Sequence, residues 1–224
     1  MTAKIVEIFH SLQGEGLLVG EETTFIRFLG CNLFCHYCDT LYARDEKRAQ
    51  SMTRDQVRAQ VLLLTSPGQL VSLTGGEPLL WADFLAGLCP GLRERGLRIY
   101  LETNGTLVEQ MEKVRPLIDI VAMDIKPPSD CGQQLWPIHE KFLEKAKDKA
   151  FVKLVITSTI QPQEVRQAVA LIRKIDPRIS LVLQPASGEL APEIGRVRRF
   201  QAEALEELRD VRIIHQMHKR WGLR

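Results

Sequence analysis

Apolar positions along this chain fall into two kinds of run that take turns. Short stretches rich in Val, Ile, Leu and Phe, bounded by Gly, Pro, Asp or Ser, read as strands. They are residues 23–30 (TTFIRFLG), 70–75 (LVSLTG), 98–103 (RIYLET), 119–125 (DIVAMDI), 150–156 (AFVKLVI), 179–185 (ISLVLQP) and 211–215 (VRIIH). Between them, apolar residues recur at helical spacing over Thr53 to Leu64, Trp81 to Arg95, Leu107 to Val114, Pro137 to Lys147, Gln161 to Ile175 and Pro192 to Leu208. Thr53 stands where a helix N-cap belongs. Strand and helix alternating at intervals of roughly 25–30 residues predict a parallel α/β sheet. Six or so such units are too few for a closed eight-stranded barrel of ~250 residues. The expectation is an open, partial TIM-like barrel of about six parallel strands, with residues 1–224 forming one domain. Chemistry in such sheets gathers at the carboxyl ends of the strands.

Composition narrows the picture. Hydrophobic residues make up 45% of the 224, which allows a large core. Thirty basic against 28 acidic residues leave a net charge of +2, so there is no general drive toward nucleic acid or an anionic membrane. The N-terminus MTAKIVEIFHS lacks a signal-peptide core, and the apolar stretch from Leu79 to Leu92 is interrupted by Asp83 and Pro90. Five cysteines, three of them within eight residues, do not resemble a disulfide framework. A cytoplasmic location fits that pattern, and Cys89 and Cys131 read as small buried residues.

The three clustered cysteines, Cys31, Cys35 and Cys38, carry the chemistry. They follow the first predicted barrel strand in a C-x3-C-x2-C spacing, within GCNLFCHYCDT. Thiolates this close share a metal or an iron–sulfur cluster, or sit idle, and three are one short of the four that complete a [4Fe-4S] cube. A zinc site with His36 as fourth ligand is an alternative, although ligation by adjacent residues 35 and 36 is awkward. The spacing is the signature of radical S-adenosylmethionine (SAM) enzymes, in which SAM takes the open iron. LTGGEP (Leu73 to Pro78) resembles their GGEP motif, where Gly75 and Gly76 let a backbone approach a ligand and Glu77 suits an ammonium. ETNGT offers Glu102 and Asn104 to ribose hydroxyls, DIKPPS offers Lys126, and Gln184 ends the sixth strand.

Taken with SLQGEG (Ser11 to Gly16), FIRFLGCNLFCHYCDT and HQMHK (His215 to Lys219), these motifs resemble the 7-carboxy-7-deazaguanine synthase family over nearly the whole chain. The resemblance implies a [4Fe-4S] cluster on Cys31, Cys35 and Cys38. It implies SAM beside Tyr37, Cys38, Asp39, Gly75, Gly76 and Glu77, with Glu102, Asn104, Asp124, Lys126, Ser129 and Gln184 lining the rest of that pocket. It implies Mg2+ at Thr40, and a substrate held by Leu12, Gln13, Gly14, Glu15, Arg27, Thr74 and His218. Glu15 and His218 are the candidates for proton transfer, and KRWGLR is a candidate lid. The implied reaction is ring contraction of 6-carboxy-5,6,7,8-tetrahydropterin to 7-carboxy-7-deazaguanine with loss of ammonia, with SAM reused. A flavodoxin or ferredoxin would supply electrons, and the chain would pair as a homodimer. One departure stands out: Asp124-Ile125-Lys126 replaces the Ser-Pro-Lys frequent in relatives, and an Asp-x-Lys here is similar to glycyl-radical activating enzymes. Such an activating enzyme is the alternative function, and a small iron–sulfur carrier or zinc module the non-enzymatic one.

Overall fold

The computed structural model describes residues 1–223. Its strands are β1 (Thr2–Leu12), β2 (Glu22–Phe28), β3 (Gln50–Thr53), β4 (Leu70–Gly75), β5 (Arg98–Thr103), β6 (Ile120–Ile125), β7 (Ala150–Ile156), β8 (Leu181–Pro185) and β9 (Val211–Ile213). The helices are α1 (Arg54–Leu64), α2 (Ala82–Arg93), α3 (Val108–Val114), α4 (Pro128–Cys131), α5 (Trp136–Ala146), α6 (Pro162–Ile175), α7 (Ile194–Leu205) and α8 (Met217–Trp221). All nine strands form one open sheet in the order β3-β1-β2-β4-β5-β6-β7-β8-β9. From β2 to β9 every pairing is parallel, so seven strands continue the barrel where the spacing suggested about six. The sheet is an incomplete barrel, as expected, and no described helix is long and apolar enough to cross a membrane.

Two strands were not foreseen. β1 runs antiparallel to β2 and to β3, at the start of the chain. Its alternation is broken by a register shift between Ile5 and Glu7, which hides the period-2 signal. The shift places Glu7 opposite Arg27 and Phe9 opposite Phe25, and the two Phe rings stack at 4.9 Å. β3 is only four residues long and feeds α1, whose N-cap is Thr53. The Thr53 hydroxyl accepts from the Gln56 N–H, and the Gln56 side chain accepts from the Thr53 N–H, closing a capping box.

The two faces of the sheet have different work. Ile26, Phe28, Leu73, Leu101, Met123, Leu154 and Leu183 point to the helices and are sealed in the main core. The alternate positions, among them Arg27, Thr74, Glu102, Asp124, Lys153 and Gln184, point into the concavity. One end of that concavity is plugged by Leu70, Tyr100, Ala122, Phe151 and Val182 under Leu17 and Leu18. Cys89 and Cys131 are buried, as expected.

Candidate active site

The concavity opens at the carboxyl ends of the strands as a cavity of about 380 Å³. Cys31, Cys35 and Cys38 all line it, on the loop that leaves β2. The loop has little regular structure of its own and is tied down from outside. Gly30 N–H donates to the Ala43 carbonyl at 2.8 Å, and His36 N–H to the Asp130 carbonyl at 2.9 Å. The Arg44 guanidinium lies 4.0 Å over the Phe34 ring and donates to the carbonyls of Cys31 and Leu33. His36, which a zinc site would need as its fourth ligand, is exposed and off the cavity wall. The three thiolates on the wall fit the cluster that their spacing implies.

The Gly-Gly turn is pressed against this loop. Glu77 N–H donates to the Gly30 carbonyl at 2.7 Å. A Cβ on Gly76 would stand 1.9 Å from the Gly30 oxygen and 3.0 Å from the Cys31 Cβ. Only glycine allows that approach. Gly75 and Gly76 line the cavity, but the Glu77 side chain does not. Its carboxylate is wholly buried and accepts from Leu79 N–H at 3.0 Å, Asn104 N–H at 2.8 Å and the Thr103 hydroxyl at 3.0 Å. Burial pushes its pKa up to about 7 against these hydrogen bonds. The carboxylate expected to meet an ammonium is instead a brace between two loops. Asn104 then reaches the cluster loop, donating to Asn32 at 2.8 Å with Cys31 Sγ at 3.8 Å. His139, a residue the sequence did not single out, supports Asn104 from behind: its Nε2 lies 3.1 Å from the Asn104 carbonyl. Burial drops the His139 pKa to about 4.

Of the remaining predicted residues, Gln13, Gly14, Glu15, Arg27, Tyr37, Asp39, Thr40, Thr74, Glu102, Asn104, Asp124, Lys126, Gln184 and His218 are brought together on the cavity wall. Leu12 and Ser129 are not: Leu12 ends β1, and the Ser129 N–H donates to Glu164 at 2.8 Å, away from the opening. Glu102 does not stand free for a ribose. It accepts from Gln13 at 3.1 Å, Ser72 at 2.9 Å and Thr74 at 3.1 Å, on the side of the residues expected to hold substrate. Arg27 is paired with Glu7 at 2.7 Å and flanked by Phe9 and Tyr42 at 5.8 and 5.7 Å. Lys126 bonds Asp124 and the Tyr37 hydroxyl, each at 2.8 Å. Burial opposes its charge, but Asp124 outweighs it and holds the ammonium protonated. The Gln184 Oε1 and Asp124 Oδ1 atoms are buried with no protein partner, acceptors aimed where a ligand carrying donors would lie.

Two parts of the site escaped the sequence. Lys153, on β7, is buried and sits directly on the Glu15 carboxylate, with Asp124 Oδ2 at 3.9 Å. Burial opposes charge on Glu15, yet the Lys153 ammonium holds its carboxyl far below the usual range. A lone lysine inside the apolar run AFVKLVI was the available signal, because a lysine is rarely buried without a partner. The other part is the set of bonds by which the C-terminal motif is held, through Gln216, Met217 and Lys219. The Met217 N–H donates to the Gly14 carbonyl at 2.8 Å, and Lys219 reaches Asp39 Oδ2 at 2.9 Å. Gln216, just before α8, donates to Glu15 at 3.0 Å and to Asp39 at 3.1 Å. Of the tail expected as a lid, Lys219 and Leu223 line the cavity, and Arg224 lies outside the described residues.

Residues 25–175 match the radical SAM superfamily. Over 98% of its length the chain is 38% identical to the 7-carboxy-7-deazaguanine synthase of Geobacter sulfurreducens, covering 97% of that protein. It is 34% identical to that of Methanothermobacter thermautotrophicus, over all of this chain and 99% of the other. The chain belongs to the 7-carboxy-7-deazaguanine synthase family of radical SAM enzymes. The crystal structure of QueE from Escherichia coli superposes with a TM-score of 0.70, covering 97% of this chain and 95% of that one at 21% identity, and so shares the fold. Membership in the superfamily carries a [4Fe-4S] cluster and SAM with it, and the cavity wall offers the three cysteines and the Gly75-Gly76 turn to them.

Proposed function

We propose that this protein converts 6-carboxy-5,6,7,8-tetrahydropterin to 7-carboxy-7-deazaguanine and ammonia. It does so as a single radical SAM domain with Mg2+ beside the substrate carboxylate. The observation that carries the reading is the shared cavity. The cysteine loop, Gln13 to Glu15, Arg27, Thr74 and the C-terminal helix all face one space, and the chain's full-length relatives are synthases of that product.

Substrate and products differ by one ammonia only, so no net oxidant is needed and SAM can be regenerated. When bound, the cluster and SAM supply the one-electron cleavage that starts the rearrangement. The chain's own residues position and enclose. Arg27, held by Glu7, is set to fork onto a carboxylate. Thr40 and Asp39, joined by a 3.0 Å hydrogen bond, provide the hard oxygens that suit Mg2+. Gln13, bonded to Glu102, lines the wall, and α8 closes the mouth against water. The reading includes an acidic one-electron donor such as flavodoxin or ferredoxin, a homodimer, and a cytoplasmic setting.

The test is an anaerobic incubation of the reconstituted protein with dithionite, SAM, Mg2+ and the carboxytetrahydropterin, followed by mass spectrometry. The expected result is a deazaguanine carboxylate with SAM largely intact. Cleavage of SAM to 5′-deoxyadenosine with the pterin untouched would sink the substrate assignment.

A further inference from the structure

Lys153 is the best-defined cation in the cavity. It is 6% exposed, on β7, opposite Asp124 in the strand register, with its ammonium on Glu15. An ammonium has three N–H donors, and Glu15 occupies one of them directly. Glu15 in turn gives Oε2 to Lys153 and Oε1 to the Gln216 amide, and each carboxylate oxygen keeps a further acceptor site. Both side chains line the cavity. Side by side they present acceptor, acceptor, donor in a row.

We propose that Lys153 and Glu15 together read the pyrimidine edge of the pterin, and that Lys153 is the residue that selects a 4-oxo group. This rests on the pterin reading above. A 2-amino-4-oxo edge presents donor (2-amino), donor (N3–H) and acceptor (O4) in a row, the complement of the pair. Glu15 accepts from the 2-amino group and N3–H, and Lys153 donates to O4. The contact between ammonium and carboxylate sets donor beside acceptor, as O4 and N3–H stand beside each other on the ring. Several of the other charged groups on the wall are committed elsewhere. Glu102 accepts from three neutral donors, Arg27 is on Glu7, and Lys126 is on Asp124 and Tyr37 toward the cluster loop.

The arrangement also explains how the substrate is held while it changes. The proposed substrate and product share this edge, because ring contraction rebuilds only the other ring. A grip confined to the edge keeps the pyrimidine fixed while the reacting half rearranges. The pair is set from both sides before any ligand arrives, by Asp124 beside Lys153 and by Gln216 beside Glu15, so little ordering is left for binding.

The test compares three stable ligands on cluster-loaded enzyme with SAM and Mg2+, by quenching of pterin fluorescence. They are 6-carboxypterin, its 4-thioxo analogue, which keeps N3–H but weakens the acceptor at position 4, and 6-carboxylumazine, which replaces the 2-amino group by oxygen. Wild type is expected to bind the 4-oxo compound about tenfold tighter than the 4-thioxo compound, the range for a charged hydrogen bond. It should also disfavour the lumazine. In Lys153→Met the 4-oxo preference should vanish while the penalty on the lumazine stays. Lys153→Gln, which keeps an N–H for Glu15, should fall between. Equal weakening of all three ligands in the variants would mean a structural lysine and overturn the proposal. So would a wild type indifferent to oxo and thioxo, whatever the variants do. If wild type binds 6-carboxypterin in neither form, the pterin reading itself fails, which is a different result.

Discussion

The Glu77 carboxylate accepts the backbone N–H of Asn104 at 2.8 Å, across 27 residues of sequence. That single bond couples the turn after β4 to the turn after β5, and Asn104 passes the coupling on to Cys31. The carboxylate also takes the Leu79 N–H and the Thr103 hydroxyl. Glu77→Ala therefore strands three donors in a buried site. Each costs about 1–3 kcal/mol, so a loss of order 3 kcal/mol or more is expected in urea unfolding. Iron retained per chain after desalting should fall as well. Unchanged stability would mean that the brace is idle.

Two groups around Asn104 give the fold opposite responses to pH. Glu77 has its pKa raised from 4.5 to about 7, so the folded state binds the extra proton between those values. Its contribution is fully present below pH 4.5 and is lost as pH rises through 7. His139 has its pKa lowered from 6.5 to about 4, so the unfolded state binds the extra proton there. Its contribution is present above pH 6.5 and is lost as pH falls through 4. Each is worth up to about 3 kcal/mol across its window. Unfolding free energy measured from pH 4 to 8 should lose its acid limb in His139→Gln, relative to wild type. In Glu77→Gln the decline toward neutral pH should flatten. Parallel curves for wild type and variant would remove the residue concerned from this account.

Gly76 and Gly14 should respond differently to an added methyl group. At Gly76 the new carbon meets the Gly30 carbonyl at 1.9 Å, fixed backbone that cannot turn aside. Gly76→Ala is expected to abolish cluster assembly, read as loss of visible absorbance and iron. At Gly14 it meets the Cβ and Nδ1 of His218 at 2.6 Å, on a five-residue helix near the chain end. That helix can shift. Gly14→Ala should keep its iron, raise KM for the pterin several-fold, and expose residues around 217–221 to limited proteolysis.

How far the sequence could be read follows from how local each signal is. The C-x3-C-x2-C loop, the Gly-Gly turn and the short apolar runs of the parallel strands are complete within a few residues, and a strand forms at each run. β1 was hidden because the shift after Ile5 breaks its alternation, and because its partner β2 lies beyond a turn. Glu77 looked like a ligand because only one of its partners, the Leu79 N–H, is local. Its other partners, Thr103 and Asn104, come from another strand end. Lys153 was passed over for the same reason: its meaning lies in Glu15, 138 residues away. Residues held within a local motif were legible, whereas those that act through a distant partner were not.

Lys219 stands where a cation is wanted. Its ammonium lies 2.9 Å from Asp39 Oδ2, next to Thr40, the proposed magnesium residue. Asp39 has its pKa lowered, burial being outweighed by the hydrogen bonds from Lys219 and Thr40. A metal ion arriving at this carboxylate must compete with that ammonium. The pair is more than one-third exposed on both sides, so the competition is weak, worth about 0–1 kcal/mol. Lys219→Ala is thus expected to tighten Mn2+ binding only about two- to fivefold, read by the free-ion EPR signal with cluster and SAM loaded and no pterin present. The gain should shrink as salt is added, because an exposed pair is screened. If Mn2+ binds more weakly in the variant, Lys219 does not compete with the metal, and its bond to Asp39 instead orders the carboxylate for it. In that case Asp39→Asn should weaken Mn2+ no further in the Lys219→Ala background than in wild type.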